Sequence, residues 1–426
     1  MNKQPYKIFW LGAPVPDRND FHAPSLHRSG NLFAGNLIKG LQENGVSIDR
    51  FLSYRPVAAF PGDKKLTYTA EETEIPGLLK QKAVGFVNLK LAKQLTMGTN
   101  SYREVLRWAR GLHPDTPKAL VVYNLTAPPA PFVIKAARKV GAKCFAIVND
   151  LEVPGKGRTP ANAVRAWEYK SQIWGIRNFD GLEVCNENLA KQYAPGLPFV
   201  LVEGGVPFSM TERSYQPVPL SERDAVVLLY TGRLSEAHGV DMLLEAFKRL
   251  KGENLELRIA GAGPMEETVL QAAARDPRIK VLGYRPFDEL LPHFARADIA
   301  LSLWRMSQEA AENFFPGKLL DYMGCGAAVV STAVGHVERD FSEHIFILKN
   351  ETPESLTALL QTALDTPRET LYEFGIRCRD YAIETKSWPA QAKLLQNLIE
   401  QTLGVAGWNS GPAISTTGSG RPGALS

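Results

Sequence analysis

Cysteine is scarce in this chain: four residues at 144, 185, 325 and 378, no two at C-x-x-C spacing. That argues against a cysteine zinc site or a redox pair and fits reduced thiols of a cytosolic protein. No stretch reaches the roughly 18 uninterrupted apolar residues of a membrane-spanning helix. The start, Met1-Asn2-Lys3-Gln4-Pro5-Tyr6-Lys7, has charge but no apolar run long enough for a secretory signal. No Asp-x-Asp occurs, so no metal is expected, and no nucleic-acid-binding motif is recognisable.

What is present fits a soluble globular protein. Of 426 residues, 44% are hydrophobic and 22% charged. At about 150 residues per domain, two or three domains are expected. The net charge of +4 hides an asymmetry: residues 1–212 hold 27 Lys+Arg and 18 Asp+Glu, or +9, and residues 213–426 hold 22 and 27, or −5. The first half is therefore expected to face an anionic partner.

Strand-like runs alternate with helix-like ones. Short apolar strands are expected at 8–11, 119–123, 144–148, 181–185 and 199–202, with a helix at 31–43. The rhythm restarts after Gln216-Pro217-Val218-Pro219, with strands at 226–231, 255–260, 279–282, 298–303 and 328–332 and helices at 239–250, 264–275, 287–296 and 317–324. Alternation of this kind predicts parallel sheets covered on both faces. The expected fold is α/β: two doubly wound Rossmann-like domains, 1–212 and 213–385, facing across a cleft. Helices follow at 353–364, 367–384 and 388–403, and a flexible Gly/Ser/Pro-rich tail at 404–426.

Two segments carry most of the chemical signal. In Tyr230-Thr231-Gly232-Arg233-Leu234-Ser235-Glu236-Ala237-His238-Gly239, a strand runs into a glycine turn, and Arg233 stands at the strand's carboxyl end, where a guanidinium can fork onto a diphosphate. Gly239 opens the next helix, whose amides favour an anion. In Phe314-Phe315-Pro316-Gly317-Lys318-Leu319-Leu320-Asp321-Tyr322-Met323-Gly324-Cys325-Gly326, Lys318 sits in a first helical turn. The helix dipole disfavours a cation there by about 0.3–1 kcal/mol, and a bound anion offsets that cost. Asp321 shares its face and can accept from the paired hydroxyls of a ribose. Between them lie Gly261-Ala262-Gly263-Pro264, a glycine turn from strand to helix, and Gly283-Tyr284, a strand end where backbone amides can meet a nucleobase. Read singly, these are also ordinary turns and a solvated Lys–Asp pair.

In order and spacing, residues 225–350 resemble the nucleotide-binding domain of GT-B glycosyltransferases, most like glycosyltransferase family 4. Residues 1–210 match more loosely, and the helix with Ser387-Trp388 resembles the family's closing helix, which crosses back to the first domain. The resemblance implies donor contacts from Gly232, Arg233, His238, Gly261, Gly283, Tyr284, Pro316, Gly317, Lys318, Leu319 and Asp321. His238 replaces a customary lysine. The family's two glutamates map onto Asn313 and Asp321, with Glu312 beside the first. Pro316-Gly317-Lys318 matches a Pro-x-Lys variant seen in some relatives. Asn149 stands where many members have a histidine, with Asp150 next to it. Glu203-Gly204-Gly205-Val206 stands at the family's Asn-Gly-Val turn.

The implied activity is transfer of a hexose from a UDP- or GDP-linked donor, the two not being distinguishable, to a glycan or lipid-linked glycan, with retention and without metal or cofactor. Arg233, Lys318, Glu312 and Asn149 are the catalytic candidates. Fixed cations stabilise the departing diphosphate, and a front-face route fits better than a covalent one, for which Glu312 is the least poor nucleophile. Acceptor-side candidates are Ser29, Gly30, Asn31 and Asp150, although Ser29-Gly30-Asn31 reads equally as a helix N-cap. Residues 79–118 hold Lys80, Lys82, Lys90, Lys93, Arg103, Arg107, Arg110 and Lys118 among leucines and aromatics. They read either as basic amphipathic helices on an anionic membrane or as solvated faces. The expected location is cytoplasmic, at a membrane periphery in the first of those readings. Two alternatives stand beside the transferase: a nucleotide-sugar-binding partner without turnover, and a nucleotide-sugar 2-epimerase.

Overall fold

The structure, a computed structural model, describes residues 4–16, 28–124, 129–149, 160–307 and 311–405. Asp150, the side chain of Asn313 and residues 406–426 of the tail lie outside the described residues. The chain divides into Met1–Val202 with Gln391–Ser426, and Glu203–Ala390. The sequence reading placed the first division at 212/213 and the last helix, from 388, with the first domain.

The first unit contains β1 (Lys7–Leu11), β2 (Arg50–Ser53), β3 (Thr67–Tyr68), β4 (Glu71–Ile75), β5 (Leu79–Ala83), β6 (Phe86–Val87), β7 (Lys118–Tyr123), β8 (Lys143–Val148), β9 (Gly181–Val184) and β10 (Phe199–Leu201). Eight of them form one sheet in the order β10-β9-β8-β7-β1-β2-β5-β4. Its pairs are parallel except β4 with β5 at the edge. β7 is buried along its whole length, as a strand covered on both faces must be. Helix Trp388–Leu403 contributes its residues from Gln391 onward to this unit, where Tyr6 Oη donates to Glu400 Oε1 at 3.1 Å.

Two expectations fail here. The first helix runs Arg28–Glu43, so Ser29, Gly30 and Asn31 lie inside its first turns and do not cap it. The Asn31 amide is engaged, accepting from Val15 N at 2.7 Å and donating to Val15 O at 3.1 Å. Residues 79–118 are not a run of basic helices: they are β5, β6, a loop, helix Ala92–Arg110 and the start of β7. Lys82 and Arg107 both bind Glu104, and Lys118 is buried with its ammonium on Pro114 O and Thr116 O.

The second unit holds β11 (Val226–Thr231), β12 (Leu255–Ala260), β13 (Ile279–Gly283), β14 (Ile299–Ser302), β15 (Ala328–Thr332) and β16 (Phe346–Leu348), all parallel, in the order β13-β12-β11-β14-β15-β16. Alternate residues enter opposite cores. Leu229, Ala300 and Val329 join one cluster; Leu228, Tyr230, Ile299, Leu301 and Val330 join the other. That is the period-two signature of a sheet with helices on both sides. The chain order reverses between β11 and β14, and in open α/β sheets the carboxyl ends at such a switch point are where ligands sit. Among the described residues no helix is long and apolar enough to cross a membrane.

Candidate functional site

The turn after β11 is shaped by close backbone approach. Gly232 has φ +153° and Gly261 φ +146°, and a Cβ on Gly261 would overlap the Gly232 carbonyl oxygen. Gly261 N in turn donates to Gly283 O at 2.9 Å. Gly261 thus lets the carboxyl ends of β11 and β12 approach more closely than a side chain there would allow. Tyr230 Oη donates to Arg233 O at 2.8 Å and fixes the turn that presents the exposed guanidinium.

Helix Lys318–Cys325 is tied to the same strand end. Tyr322 Oη accepts from Thr231 N at 2.9 Å and lies 2.8 Å from Thr231 O, to which it donates. Gly326, left-handed at φ +87°, ends this helix and lets β15 begin. Arg233 and Lys318 consequently line one cavity of about 250 Å³, with Gly232, His238, Pro316 and Gly317 in its walls. These six positions, far apart in the chain, are all sequence-predicted donor residues. Asp321 stands beside the cavity: its Oδ2 is 3.3 Å from Lys318 Nζ. Burial raises the Asp321 pKa above the usual carboxylate value, and Lys318 opposes the rise.

His238 is more fully engaged than the sequence suggests. Its Nδ1 is 2.8 Å from Ser235 Oγ, and Trp304 meets it edge-on at 4.4 Å between ring centroids. Burial first, and then the Arg233 guanidinium, lower its pKa. It is therefore neutral at pH 7, and the free site draws its positive charge from Arg233 and Lys318.

The remaining predicted residues stand elsewhere. Leu319 is fully buried in the core, so its side chain is unavailable to a ligand. Gly261, Gly283 and Tyr284 are not in the cavity wall, and Tyr284 is 74% exposed. Glu312 lies exposed in the turn Ala311–Asn313 and is likewise outside the wall. Asn149, in the first unit, accepts through its carbonyl from Cys185 Sγ at 3.1 Å. Its buried Oδ1 has no hydrogen-bond partner among the described residues.

Sequence reasoning missed the aromatic part of the site. Trp304 follows β14 and stacks on Phe314 at 4.3 Å, and both line the cavity. The Trp304 Nε1–H is buried without a partner among the described residues, so a ligand oxygen there would gain a hydrogen bond the protein does not supply. The local sequence does not single it out: Trp304 lies two residues beyond β14, and only the sheet order brings it to the Arg233 turn.

Glu203, in the segment expected to be the Asn-Gly-Val turn, is held in a buried ion pair. Its buried carboxylate accepts from Lys386 Nζ at 2.7 and 2.9 Å and lies 3.3 Å from His336 Nε2. With Asp340 these residues form a group of metal-ligand type, but the Lys386 ammonium occupies both Glu203 oxygens, so a dication would have to displace it. Burial raises the Glu203 pKa, while His336 and Lys386 together outweigh that and hold it low. A larger concavity of about 550 Å³ lies at the amino ends of β11 to β13, the end of the sheet opposite the switch point. Arg258 and Arg278 in its wall are paired with Glu256 and Asp276.

Comparison with known proteins fits this geometry. Residues 225–366 match the family model described as Glycosyl transferases group 1. Over 198 residues the chain is 29% identical to glycogen synthase of Halorhodospira halophila, covering 45% of this chain and 41% of that protein, so it spans about two fifths of that relative's length. Among solved structures, HepE of Anabaena in complex with UDP aligns with a TM-score of 0.60 at 14% identity, covering 93% of this chain and 100% of that one. The catalytic domain of starch synthase IV of Arabidopsis thaliana, bound to ADP and acarbose, aligns at 0.61 and 10% identity, covering 94% and 100%. The chain has the fold of these proteins, the GT-B glycosyltransferase fold.

Proposed function

We propose that this chain is a glycosyltransferase, of the family 4 kind, that moves a hexose-type sugar from a UDP- or GDP-linked donor to a glycan or a lipid-linked glycan. The observation that carries the reading is the convergence of Arg233 and Lys318 on one cavity at the β11/β14 switch point. Cleavage of a sugar–diphosphate bond leaves negative charge on the departing oxygen, and fixed cations placed there stabilise it more in the transition state than in the ground state. Gly317 and Lys318 begin a helix whose amino end adds to that field. The Trp304–Phe314 stack gives the donor an apolar wall, and the indole N–H gives it a hydrogen bond.

The proposal assigns leaving-group stabilisation to these side chains without a metal ion. It further assigns retention by a front-face route, in which a donor phosphate oxygen takes the acceptor's proton. Calorimetry with UDP, GDP and their sugars tests it. Charge-assisted contacts contribute about 1.5–3 kcal/mol, so Arg233→Ala and Lys318→Ala should each weaken donor binding roughly ten- to a hundredfold. Unchanged affinity in both variants refutes the assignment. A binding partner without turnover is the second reading, favoured by the neutral His238 and by Asn313 in place of a glutamate. Release of free nucleotide from a sugar donor in the presence of acceptor eliminates it.

A further inference from the structure

In the first unit, exposed apolar side chains are concentrated around one buried residue. Asn88 is fully buried. Its side-chain NH2 donates to Ala58 O at 3.1 Å and Lys65 O at 3.0 Å, its backbone carbonyl accepts from Phe60 N at 2.9 Å, and its backbone N–H donates to Leu66 O at 2.7 Å. These four bonds clamp segment 58–66 against segment 88–95. The clamped surface presents Phe60 (38% exposed), Leu66 (49%), Leu89 (42%), Leu91 (65%) and Leu95 (55%), half of the large hydrophobic side chains found exposed among the described residues. Leu91 and Leu95 are one helical turn apart, with Leu95 N donating to Leu91 O. Leu91 also holds φ +66° with ψ −47°, a positive-φ backbone that a bulky non-glycine residue rarely adopts. Folding thus tolerates both a strained backbone and an exposed leucine at the same position.

The charge around this patch is predominantly positive. The two segments carry Lys64, Lys65, Lys90 and Lys93 against Asp63 alone, a net +3. Asp63 is turned onto its own loop, accepting from Lys65 N and Tyr68 Oη. Lys93 is folded inward onto Val57 O. Lys64, Lys65 and Lys90 remain exposed around the leucines. We propose that this patch docks the chain on an anionic lipid bilayer, with the leucines entering the headgroup–acyl boundary and the three lysines meeting lipid phosphates. This replaces the wider stretch 79–118 with two shorter segments, one of which lies outside it, and it does not depend on the donor-site reading.

The test is sedimentation of the full chain with vesicles of phosphatidylcholine alone or with 30% phosphatidylglycerol. The native chain is expected to pellet with the anionic vesicles and to be released by high salt. Each lysine changed to glutamine among Lys64, Lys65 and Lys90 should weaken partitioning about fivefold. Leu91→Ser with Leu95→Ser should weaken it at least tenfold, with melting temperature and nucleotide binding unchanged. If the serine pair does not fold, the lysine series decides alone. A native chain that stays in the supernatant, or binding that neither series reduces, overturns the proposal. So does a dimer by light scattering that the serine pair dissociates without any vesicle binding, which would make a second copy the occupant.

Discussion

The Glu203–Lys386 contact offers a sharp test of the energetics of the second unit. The Glu203 side chain has no solvent exposure and that of Lys386 only 15%. Both carboxylate oxygens are held by one ammonium, with His336 alongside. Lys386→Met keeps the length of the side chain and removes its charge. The carboxylate then has only the imidazole as partner in a buried setting, a change that typically costs about 3–5 kcal/mol. For a unit of this size, 1 kcal/mol moves the melting temperature by roughly 2–4 °C, so a fall of roughly 6–20 °C is expected. Glu203→Gln added to Lys386→Met removes the stranded charge and should recover at least half of the loss. The pH dependence has a definite sign. Glu203 titrates below its unfolded-state value, so its contribution is fully present above that value, near 4.3, and disappears as pH falls through the lower folded one. Native protein and Glu203→Gln should therefore converge in stability only in acid. Calorimetric melting of the four proteins of this cycle measures all of it. A shift under about 2 °C for Lys386→Met, or a double variant no better than the single, refutes the reasoning.

Tyr322→Phe removes the hydrogen bonds of its hydroxyl to Thr231 N, O and Oγ1 and leaves a buried backbone N–H unpaired; about 1–3 kcal/mol of stability should be lost, together with donor affinity, as read by urea titration and calorimetry. Gly261→Ala places a Cβ on the Gly232 carbonyl and should destabilise the unit by several kcal/mol or prevent its folding; native-like melting would show that the strand ends are looser than described. His238→Lys supplies a full charge where burial and Arg233 keep the imidazole neutral. Binding of a nucleotide diphosphate at pH 8 should tighten by about tenfold. The native protein should gain affinity as pH falls toward the lowered pKa of the free His238 and the lysine variant should gain less, which parallel titrations would measure.

The sequence made the second unit legible because its strands are short apolar runs bounded by glycine and its core faces alternate cleanly. The expected strands at 226–231, 255–260 and 328–332 coincide with those observed. The first unit hid β2 to β6 for a physical reason. β4, Glu-Glu-Thr-Glu-Ile, is an exposed edge strand with no buried residue, so its composition carries no burial signal. β3 and β6 are two residues each, below any period that can be counted. The site divides in the same way. Arg233 and Lys318 were visible as charges at helix and strand ends, where local chemistry singles them out. Trp304 and Phe314 look like ordinary core aromatics until the sheet order places β14 next to β11. That adjacency is a long-range property: β12 and β13 intervene in sequence, and only their placement on the far side of β11 brings the end of β14 to the Arg233 turn. The cationic part of the site is thus local information, and its aromatic wall is topological. A chain that kept Gly232-Arg233 and Pro316-Gly317-Lys318 but carried Trp304→Leu should retain affinity for a free diphosphate and lose discrimination among donors. If affinity for free diphosphate and for donor falls together, the two parts of the wall are not separable and the division drawn here is wrong.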